Sequence, residues 1–201
     1  MHALILVDIQ NDFCPGGALA VPDGDAVVAV ANDLMRSAEF DLVVATQDWH
    51  PSDHGSFAIH HPGSSPYQVV DLSGLPQVLW PVHCVQGSPG AAFHPQLLTS
   101  RIDAIFQKGQ DKSVDSYSGF FDNGKRRDTG LNAWLRSRAI DTVTVVGLAT
   151  DYCVKFTALD AASLGYRTLI RTSATRGVEL TPGDSERALA ALREAGVTVV
   201  A

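Results

Sequence analysis

Short apolar runs alternate with amphipathic stretches along most of the chain. Runs of Val, Ile, Leu and Ala without polar alternation are typical of strands buried on both faces. They occur at 3–7, 41–46, 104–106, 142–147, 167–171 and 197–200, and helical spacing predicts helices at 25–37, 131–138, 152–164 and 183–195. Strands that alternate with helices favour a parallel sheet covered on both faces. The pattern therefore predicts an α/β fold, a three-layer α/β/α sandwich around a six-stranded parallel sheet.

The strand over 142–147 leads into the most informative turn of the sequence. Thr150 or Asp151 can cap the next helix, and Gly165 suits the position after its end. Cys153 is thereby placed in a first helical turn, where free N–H groups and the helix dipole favour an anion. We expect its thiol to ionise more readily than a free cysteine. The alternative is that Cys153 is a small buried hydrophobic residue, as most cysteines are.

Four predicted strands lead to residues that can do chemistry. In chain order these residues are Asp8, then Asp48 with His50, then Lys108, and finally Cys153. Ligands of open parallel sheets bind beyond the carboxyl ends of the strands, so we expect these side chains to share one site. Taken singly, Asp8 could cap a turn and Lys108 could be a solvated surface charge. Together, Asp8 would accept the thiol proton of Cys153, and Lys108 would hold that carboxylate and supply positive charge.

A second group of residues has the composition of a metal site. Asp48 and His50 stand two positions apart, His54 follows four positions later, and His83 lies in a long polar segment. One carboxylate with two or three imidazoles suits zinc, iron or manganese with positions open to water or substrate. The alternative is a loop in which histidine caps a turn, because Asp-x-His alone is weak evidence for a metal. We expect the other four histidines on the surface or in loops.

The segment over 51–100 interrupts the regular pattern and is dominated by Pro, Gly, Ser and His. A segment of this length inside a compact domain is usually a functional loop or lid. The length of 201 residues predicts a single domain, 1–201, that includes this metal-site loop region. Whether the loop closes over a substrate or contributes to a subunit contact stays open, and so does the oligomeric state, a homo-oligomer included.

Composition narrows the class of protein. The net charge is −7 and no basic stripe is present, so we expect no nucleic-acid partner. The apolar runs are far too short for a membrane span, and the chain begins at once with a strand rather than a signal peptide. Three cysteines are too few for a disulfide framework and favour a reducing compartment, so we expect a cytoplasmic protein. The sequence at 119–126 nearly matches a phosphate-binding loop. Arg126 stands where that loop requires Ser or Thr, so we expect no phosphate-binding loop there.

Several blocks of sequence together resemble a known family. They are VDIQNDFCPGG at 7–17, TQDWHP at 46–51, DHGSF at 53–57, WPVHC at 80–84, QKG at 107–109, YSGF at 117–120 and GLATDYCV at 147–154. With these blocks the sequence resembles the nicotinamidases (pyrazinamidases) of the isochorismatase-like cysteine hydrolase superfamily. The resemblance covers nearly the whole chain and implies their Rossmann-like fold. Most of the superfamily lacks the metal block, so its presence points to the nicotinamidase branch.

The resemblance implies a metal-dependent cysteine amidohydrolase of NAD salvage. Such an enzyme converts nicotinamide, its small-molecule substrate, to nicotinate and ammonia through a thioester, and it also accepts pyrazinamide. The implied catalytic triad is Asp8, Lys108 and Cys153. The implied metal ligands are Asp48, His50 and His83, with His54 where some members supply a further ligand. Zinc is the expected metal, with iron or manganese as alternatives.

The resemblance also implies features of the substrate pocket. The peptide that joins Ala149 to Thr150 is expected to be cis, so that the N–H groups of Ala149 and Cys153 form an oxyanion hole. The residues that match the substrate pocket are Phe13, Trp80, Tyr117 and Ala149. Val82 stands where many relatives have Asp, and we expect its side chain to point away from the metal.

Two alternatives to nicotinamide hydrolysis stay open at this point. The first is an amidase of the same superfamily that retains the metal and acts on another small amide. The second is a metal- or ligand-binding protein without catalytic activity. An Asp, Lys and Cys set at three strand ends is hard to explain without catalysis, which favours an enzyme.

Overall fold

The computed structural model describes residues 1–201 and contains eight strands and four α-helices. The strands are β1 (His2–Val7), β2 (Leu42–Asp48), β3 (Val69–Leu72), β4 (Leu75–Val78), β5 (Ala104–Lys108), β6 (Thr142–Leu148), β7 (Arg167–Arg176) and β8 (Thr198–Val200). The helices are α1 (Ala26–Arg36), α2 (Leu131–Arg136), α3 (Lys155–Ser163) and α4 (Asp184–Glu194). No helix combines the length and the apolar character that crossing a bilayer requires.

Six strands form one sheet in the order β5-β2-β1-β6-β7-β8, and every neighbouring pair in it is parallel. Alternate residues of β1 enter two separate cores. Leu4 and Leu6 pack in the core that contains α1, whereas Ile5 and Val7 pack in the core that contains apolar residues of α2, α3 and α4. The predicted three-layer fold with six parallel strands is confirmed. The order of the strands could not be read from the pattern.

The structure differs from the predicted elements at several places. β7 continues to Arg176, five residues beyond the predicted end, because its second half is polar and carries no apolar signal. The segment over 51–100 contains the antiparallel hairpin β3–β4, which was not predicted. Its residues are mostly exposed or half-buried, so the hairpin lacks the buried face that produces a clear alternation. A left-handed glycine, Gly74, forms the turn of the hairpin and donates its N–H to the Asp71 carboxylate.

Candidate active site

The turn after β6 begins earlier than the sequence indicated. A single π-helical turn spans Thr150–Val154, and α3 starts only at Lys155. The carbonyl of Ala149 accepts the N–H groups of Tyr152 and Val154, so the turn follows Ala149 directly. Neither Thr150 nor Asp151 caps this turn with its side chain. The prediction of a cis peptide between Ala149 and Thr150 was wrong by one residue. The cis bond joins Leu148 to Ala149, and Thr150 already belongs to the helical turn.

Close packing of β6 on β1 brings this turn to the centre of the sheet. Gly147 has a φ of +115°, and a Cβ atom there would lie 2.1 Å from the carbonyl oxygen of Val7. Only glycine fits this approach. The ladder between β6 and β7 shifts its register at the same point. The end of β6 therefore lies directly beside the residue that follows β1, which is Asp8.

Lys108 connects the predicted catalytic residues. Its Nζ lies 2.9 Å from Oδ2 of Asp8 and 3.4 Å from Sγ of Cys153. It also lies 2.5 Å from Oδ1 of Asp48 and donates to the carbonyl of Ser116 at 2.8 Å. All of these side chains are buried. The structure thus brings together Asp8, Lys108 and Cys153 from three separate strand ends, next to the predicted metal ligand Asp48.

Burial controls the protonation of this group. Burial raises the pKa of the Asp8 carboxyl to about 6, although Lys108 and a hydroxyl donated by Thr46 at 2.6 Å oppose the shift. Burial alone would lower the pKa of Lys108, but the Asp48 and Asp8 carboxylates raise it well above its usual value. Lys108 therefore stays a cation, and Asp8 is mainly ionised at neutral pH.

The expectation that the Cys153 thiol ionises readily was wrong. Burial, together with the carboxylates of Asp8 and Asp48, raises its pKa well above the ordinary value, and Lys108 only partly opposes this. A helical first turn favours a thiolate only where water or nearby cations also support the charge. The resting group is a thiol, so its proton must be removed as it attacks. An oxygen of Asp8 lies within 4.8 Å of Sγ and is the available acceptor.

Asp48, His50 and His83 form a buried group of potential metal ligands. Their ligand atoms lie within 4.8 Å of one another, and the Nε2 atoms of His50 and His83 are 3.6 and 3.9 Å from Oδ2 of Asp48. The Nδ1 atoms of the two imidazoles lie 2.8 Å from the carbonyls of Gly109 and Pro81 respectively. Carbonyl partners at Nδ1 leave both Nε2 atoms free to bind a cation, which is the usual arrangement of metal-binding histidines. The donor set fits one divalent transition metal.

The backbone at Gly109 packs directly against the imidazole ring of His50. Gly109 follows Lys108 with a φ of +67°, and a Cβ atom there would lie 2.4 Å from Cε1 of His50. His50 itself is 1% exposed. The glycine therefore allows its carbonyl to approach Nδ1 of His50 while the ring packs directly against the chain. Val82, which neighbours His83, is 39% exposed and is not in the donor group.

His54 and Asp115 extend the donor group. Ligand atoms of His50, His54 and Asp115 also lie within 4.8 Å of one another. Nδ1 of His54 is 2.7 Å from the Ser56 hydroxyl, whereas its Nε2 is buried without a hydrogen-bond partner. A buried polar atom without a partner is costly and indicates a missing ligand or water. Sequence analysis missed Asp115, because it follows no strand and belongs to no spaced motif.

Replacing His83 with alanine is expected to lower the affinity for zinc at least about tenfold, since one of three convergent donors is lost. Isothermal titration of the metal-free protein, with metal counted by mass spectrometry, measures this. The matched control is His60→Ala, because His60 is exposed and belongs to neither donor group. Unchanged zinc affinity in His83→Ala would exclude His83 from the metal site.

Gln10 fixes the backbone of Asp48. β1 leaves the sheet at Asp8, which has a φ of +47°. Beyond that point the side-chain amide of Gln10 donates to the Asp48 carbonyl at 2.9 Å and accepts the Asp48 N–H at 2.8 Å. The same amide nitrogen donates to the carbonyl of Ala91 at 2.8 Å. Gln10 is fully buried, so its side chain holds both backbone groups of Asp48 from the β1 side.

A small, mainly apolar cavity is lined in part by Cys153. The predicted substrate-binding residues Phe13, Trp80, Tyr117 and Ala149 all line it. Its lining also includes Leu19, Tyr152 and Val178, which sequence analysis missed, as well as Asp48, His83, Asp115 and Cys153. Trp80 packs edge-on against Tyr152 with ring centroids 4.9 Å apart, and its indole N–H donates to the Tyr117 hydroxyl at 3.3 Å. The cavity suits a flat aromatic ring held between the thiol and the metal ligands.

Comparison with known proteins identifies close relatives. The isochorismatase domain family matches residues 2–201. A nicotinamidase from Escherichia coli is 55% identical over 200 residues, covering 98% of this chain and 93% of that protein. A solved structure of an Acinetobacter nicotinamidase and pyrazinamidase is 45% identical with a TM-score of 0.94, covering 99% of this chain and 95% of its own. The pyrazinamidase of Pyrococcus horikoshii, solved in complex with zinc, is 36% identical with a TM-score of 0.79. The match covers 99% of this chain and 98% of that chain.

Proposed function

This chain belongs to the isochorismatase family, and we propose that it is a nicotinamidase that hydrolyses nicotinamide to nicotinate and ammonia. One observation carries the proposal: Cys153 lines an aromatic-walled cavity together with the potential metal ligands Asp48 and His83, and its Sγ lies 3.4 Å from Nζ of Lys108. The Escherichia coli and Acinetobacter relatives bear this activity in their names. The release of nicotinate from nicotinamide would place the protein in NAD salvage, and pyrazinamide would be a second substrate.

A metal would orient the substrate. Asp48, His50 and His83 would hold one divalent ion, with His54 as a further ligand, and zinc is preferred to iron or manganese. The bound ion would supply Lewis-acid attraction for a ring nitrogen. The apolar walls would hold the ring flat, and the edge-packed aromatic side chains would exclude water from it. The carboxamide carbon would then lie over Cys153.

The reaction would proceed by nucleophilic catalysis through a thioester. Asp8 takes the proton of the Cys153 thiol as the sulfur adds to the carboxamide carbon, and Lys108 stabilises the sulfur as it gains charge. The N–H groups of Ala149 and Cys153 would stabilise the oxyanion, and such a donor is worth about 2.7–4 kcal/mol in the transition state. Asp8 then gives its proton to the departing ammonia. Water attacks the thioester, releasing nicotinate and regenerating the thiol.

The rate is expected to fall on the acid side of neutrality, because only ionised Asp8 can accept the thiol proton. The pKa of Asp8 is raised to about 6, so kcat/KM should decrease about tenfold per pH unit below that value. Steady-state assays at saturating metal from pH 5 to 8 measure this, with circular dichroism to show that the protein stays folded. A flat profile down to pH 5 would show that no group with a pKa near 6 must be ionised for turnover, which would contradict the raised pKa of Asp8.

A panel of amides tests the proposed function. Ammonia release should be efficient with nicotinamide and pyrazinamide, much weaker with benzamide, which lacks a ring nitrogen, and minimal with an aliphatic amide. No preference for pyridine or pyrazine carboxamides would favour an amidase with another small substrate. No ammonia release from any amide by the zinc-loaded protein would favour a binding protein without catalytic activity.

We also propose that residues 1–201 act as one domain and that the protein works in the cytoplasm. The three cysteines are all unpaired, as is usual in a reducing compartment. The loops of the 51–100 segment supply His54, Trp80 and His83, so this segment would add two of the four metal ligands and one cavity wall residue to a site within the same domain.

A further inference from the structure

Asp151 has no part in the proposed chemistry, yet it is only 3% exposed and lies two residues before the nucleophile. Its two carboxylate oxygens accept separate backbone hydrogen bonds. Oδ1 accepts the N–H of Val178, and Oδ2 accepts the N–H of Glu179, each at 2.9 Å. One side chain of the Cys153 turn therefore holds a segment that lies more than 25 residues further along the chain.

The segment that Asp151 holds forms part of the substrate cavity. Val178 lines the cavity together with Cys153, Ala149 and Tyr152. This segment follows β7 and belongs to no strand or helix, so it has no ladder of hydrogen bonds to keep it in place. The N–H groups of Val178 and Glu179 both go to Asp151. Asp151 therefore accepts both main-chain N–H groups of this part of the cavity wall, beyond the last sheet pairing of β7, which joins Arg176 to Leu148.

The same segment is fastened to α4 on its other side. The carboxylate of Glu179 accepts the N–H groups of Gly183 and Ser185, each at 2.9 Å, at the start of α4. Gly177 packs so closely that a Cβ atom there would lie 2.0 Å from the hydroxyl of Ser185. The sheet holds this segment only as far as Arg176, and α4 holds it through Glu179, so Asp151 is the side chain that bonds Val178 directly to the turn of the nucleophile.

We propose that Asp151 is a positioning residue that sets the distance between Val178 and the Cys153 turn. Val178, held in this place, limits the cavity to a single unsubstituted six-membered ring. The inference depends on the proposed function, because it concerns which ring carboxamides the same site accepts. Asp151 touches no reacting atom, so it acts only through Val178.

Nicotinamide and 5-methylnicotinamide, which differ by one methyl group on the ring, test the proposal. In Val178→Ala, kcat/KM for the methylated amide relative to nicotinamide should rise about tenfold, the usual effect of room for one methyl group. In Asp151→Asn, one of the two acceptors is replaced by an N–H donor, so the segment loosens. The same ratio should rise, with a higher KM for nicotinamide and a smaller change in kcat.

Two further variants separate positioning from general stability. Asp160→Asn is the matched control, because Asp160 is a buried α3 carboxylate that bonds Lys125 at 2.7 Å and does not line the cavity. It should lower the melting temperature and leave the substrate ratio unchanged. Asp151→Glu keeps both acceptors and shifts them by one methylene. This variant should be more stable than Asp151→Asn. It should still alter kcat/KM for 5-methylnicotinamide relative to nicotinamide.

The outcomes distinguish this inference from the proposed function. If the wild-type protein hydrolyses nicotinamide but Asp151→Asn and Asp151→Glu slow both amides equally, Asp151 is only structural and the inference fails. An unchanged ratio in Val178→Ala also overturns it. Absence of nicotinamide hydrolysis by the wild-type protein refutes the proposed function instead. If Asp151→Asn does not fold, Asp151→Glu and Val178→Ala decide the matter.

Discussion

Replacing Cys153 with alanine should reduce nicotinamide hydrolysis by a factor of about 10⁴ or more, the scale seen when a nucleophile is removed from a hydrolase. No other cysteine lines the cavity, so no other thiol can form the thioester. The change removes one buried sulfur and leaves the Asp8–Lys108 ion pair in place. Ammonia release measured at saturating zinc gives the rate, and mass spectrometry of the quenched wild-type reaction should show the acyl adduct on Cys153.

Cys14→Ala is the matched control for this experiment. Cys14 is also a buried free cysteine, but it lies outside the cavity, and burial raises its pKa to about 11. Its replacement should leave the rate within a few-fold of wild type. Turnover by Cys153→Ala at a rate similar to that of Cys14→Ala would refute the nucleophile assignment, provided that both proteins bind zinc normally.

Replacing Lys108 with methionine should lower the free energy of unfolding by about 3–5 kcal/mol, the usual cost of breaking a buried ion pair by removing one partner. Lys108 is the only cation paired with both Asp8 and Asp48, and its side chain is fully buried. Without it, the buried carboxylates of Asp8 and Asp48 lie close together with no lysine to balance their charge. The loss should also remove catalytic activity, because the sulfur loses its neighbouring cation.

Urea denaturation of the metal-free protein at pH 7 measures this effect without a contribution from metal binding. Lys112→Met serves as the control, since Lys112 pairs with Asp53 at 3.0 Å and both side chains are largely exposed. An exposed ion pair contributes little to stability, so this variant should resemble the wild type. Equal stability of Lys108→Met and Lys112→Met would contradict the central role of the buried cation.

The general plan of the site could be predicted because it follows from the sheet. Buried strands are recognisable as apolar runs, and parallel strands all present their carboxyl ends at one edge. Asp8, Asp48, Lys108 and Cys153 are therefore brought together by the same geometry that makes the strands visible in the sequence. Their assigned roles stay predictions until the variants are measured.

Features that depend on irregular backbone could not be predicted in this way. Asp115 and Val178 lie in segments without periodicity, and only the packing of distant loops brings them to the cavity. The ionisation of Cys153 was misjudged for a related reason. Position at a helix start can be read locally, but the burial and the two carboxylates that raise the pKa come from the whole fold.

The Gln10 side chain explains how the sheet can open beside Asp48 without leaving backbone groups unpaired. A primary amide presents one C=O and N–H donors, like a peptide unit, so it can stand in for the strand residue that is missing beside Asp48. The first strand can end early and free space for a substrate, while its neighbour runs on with no unsatisfied backbone group. A leucine at position 10 would have similar bulk, but it would leave the N–H and the C=O of Asp48 without these partners.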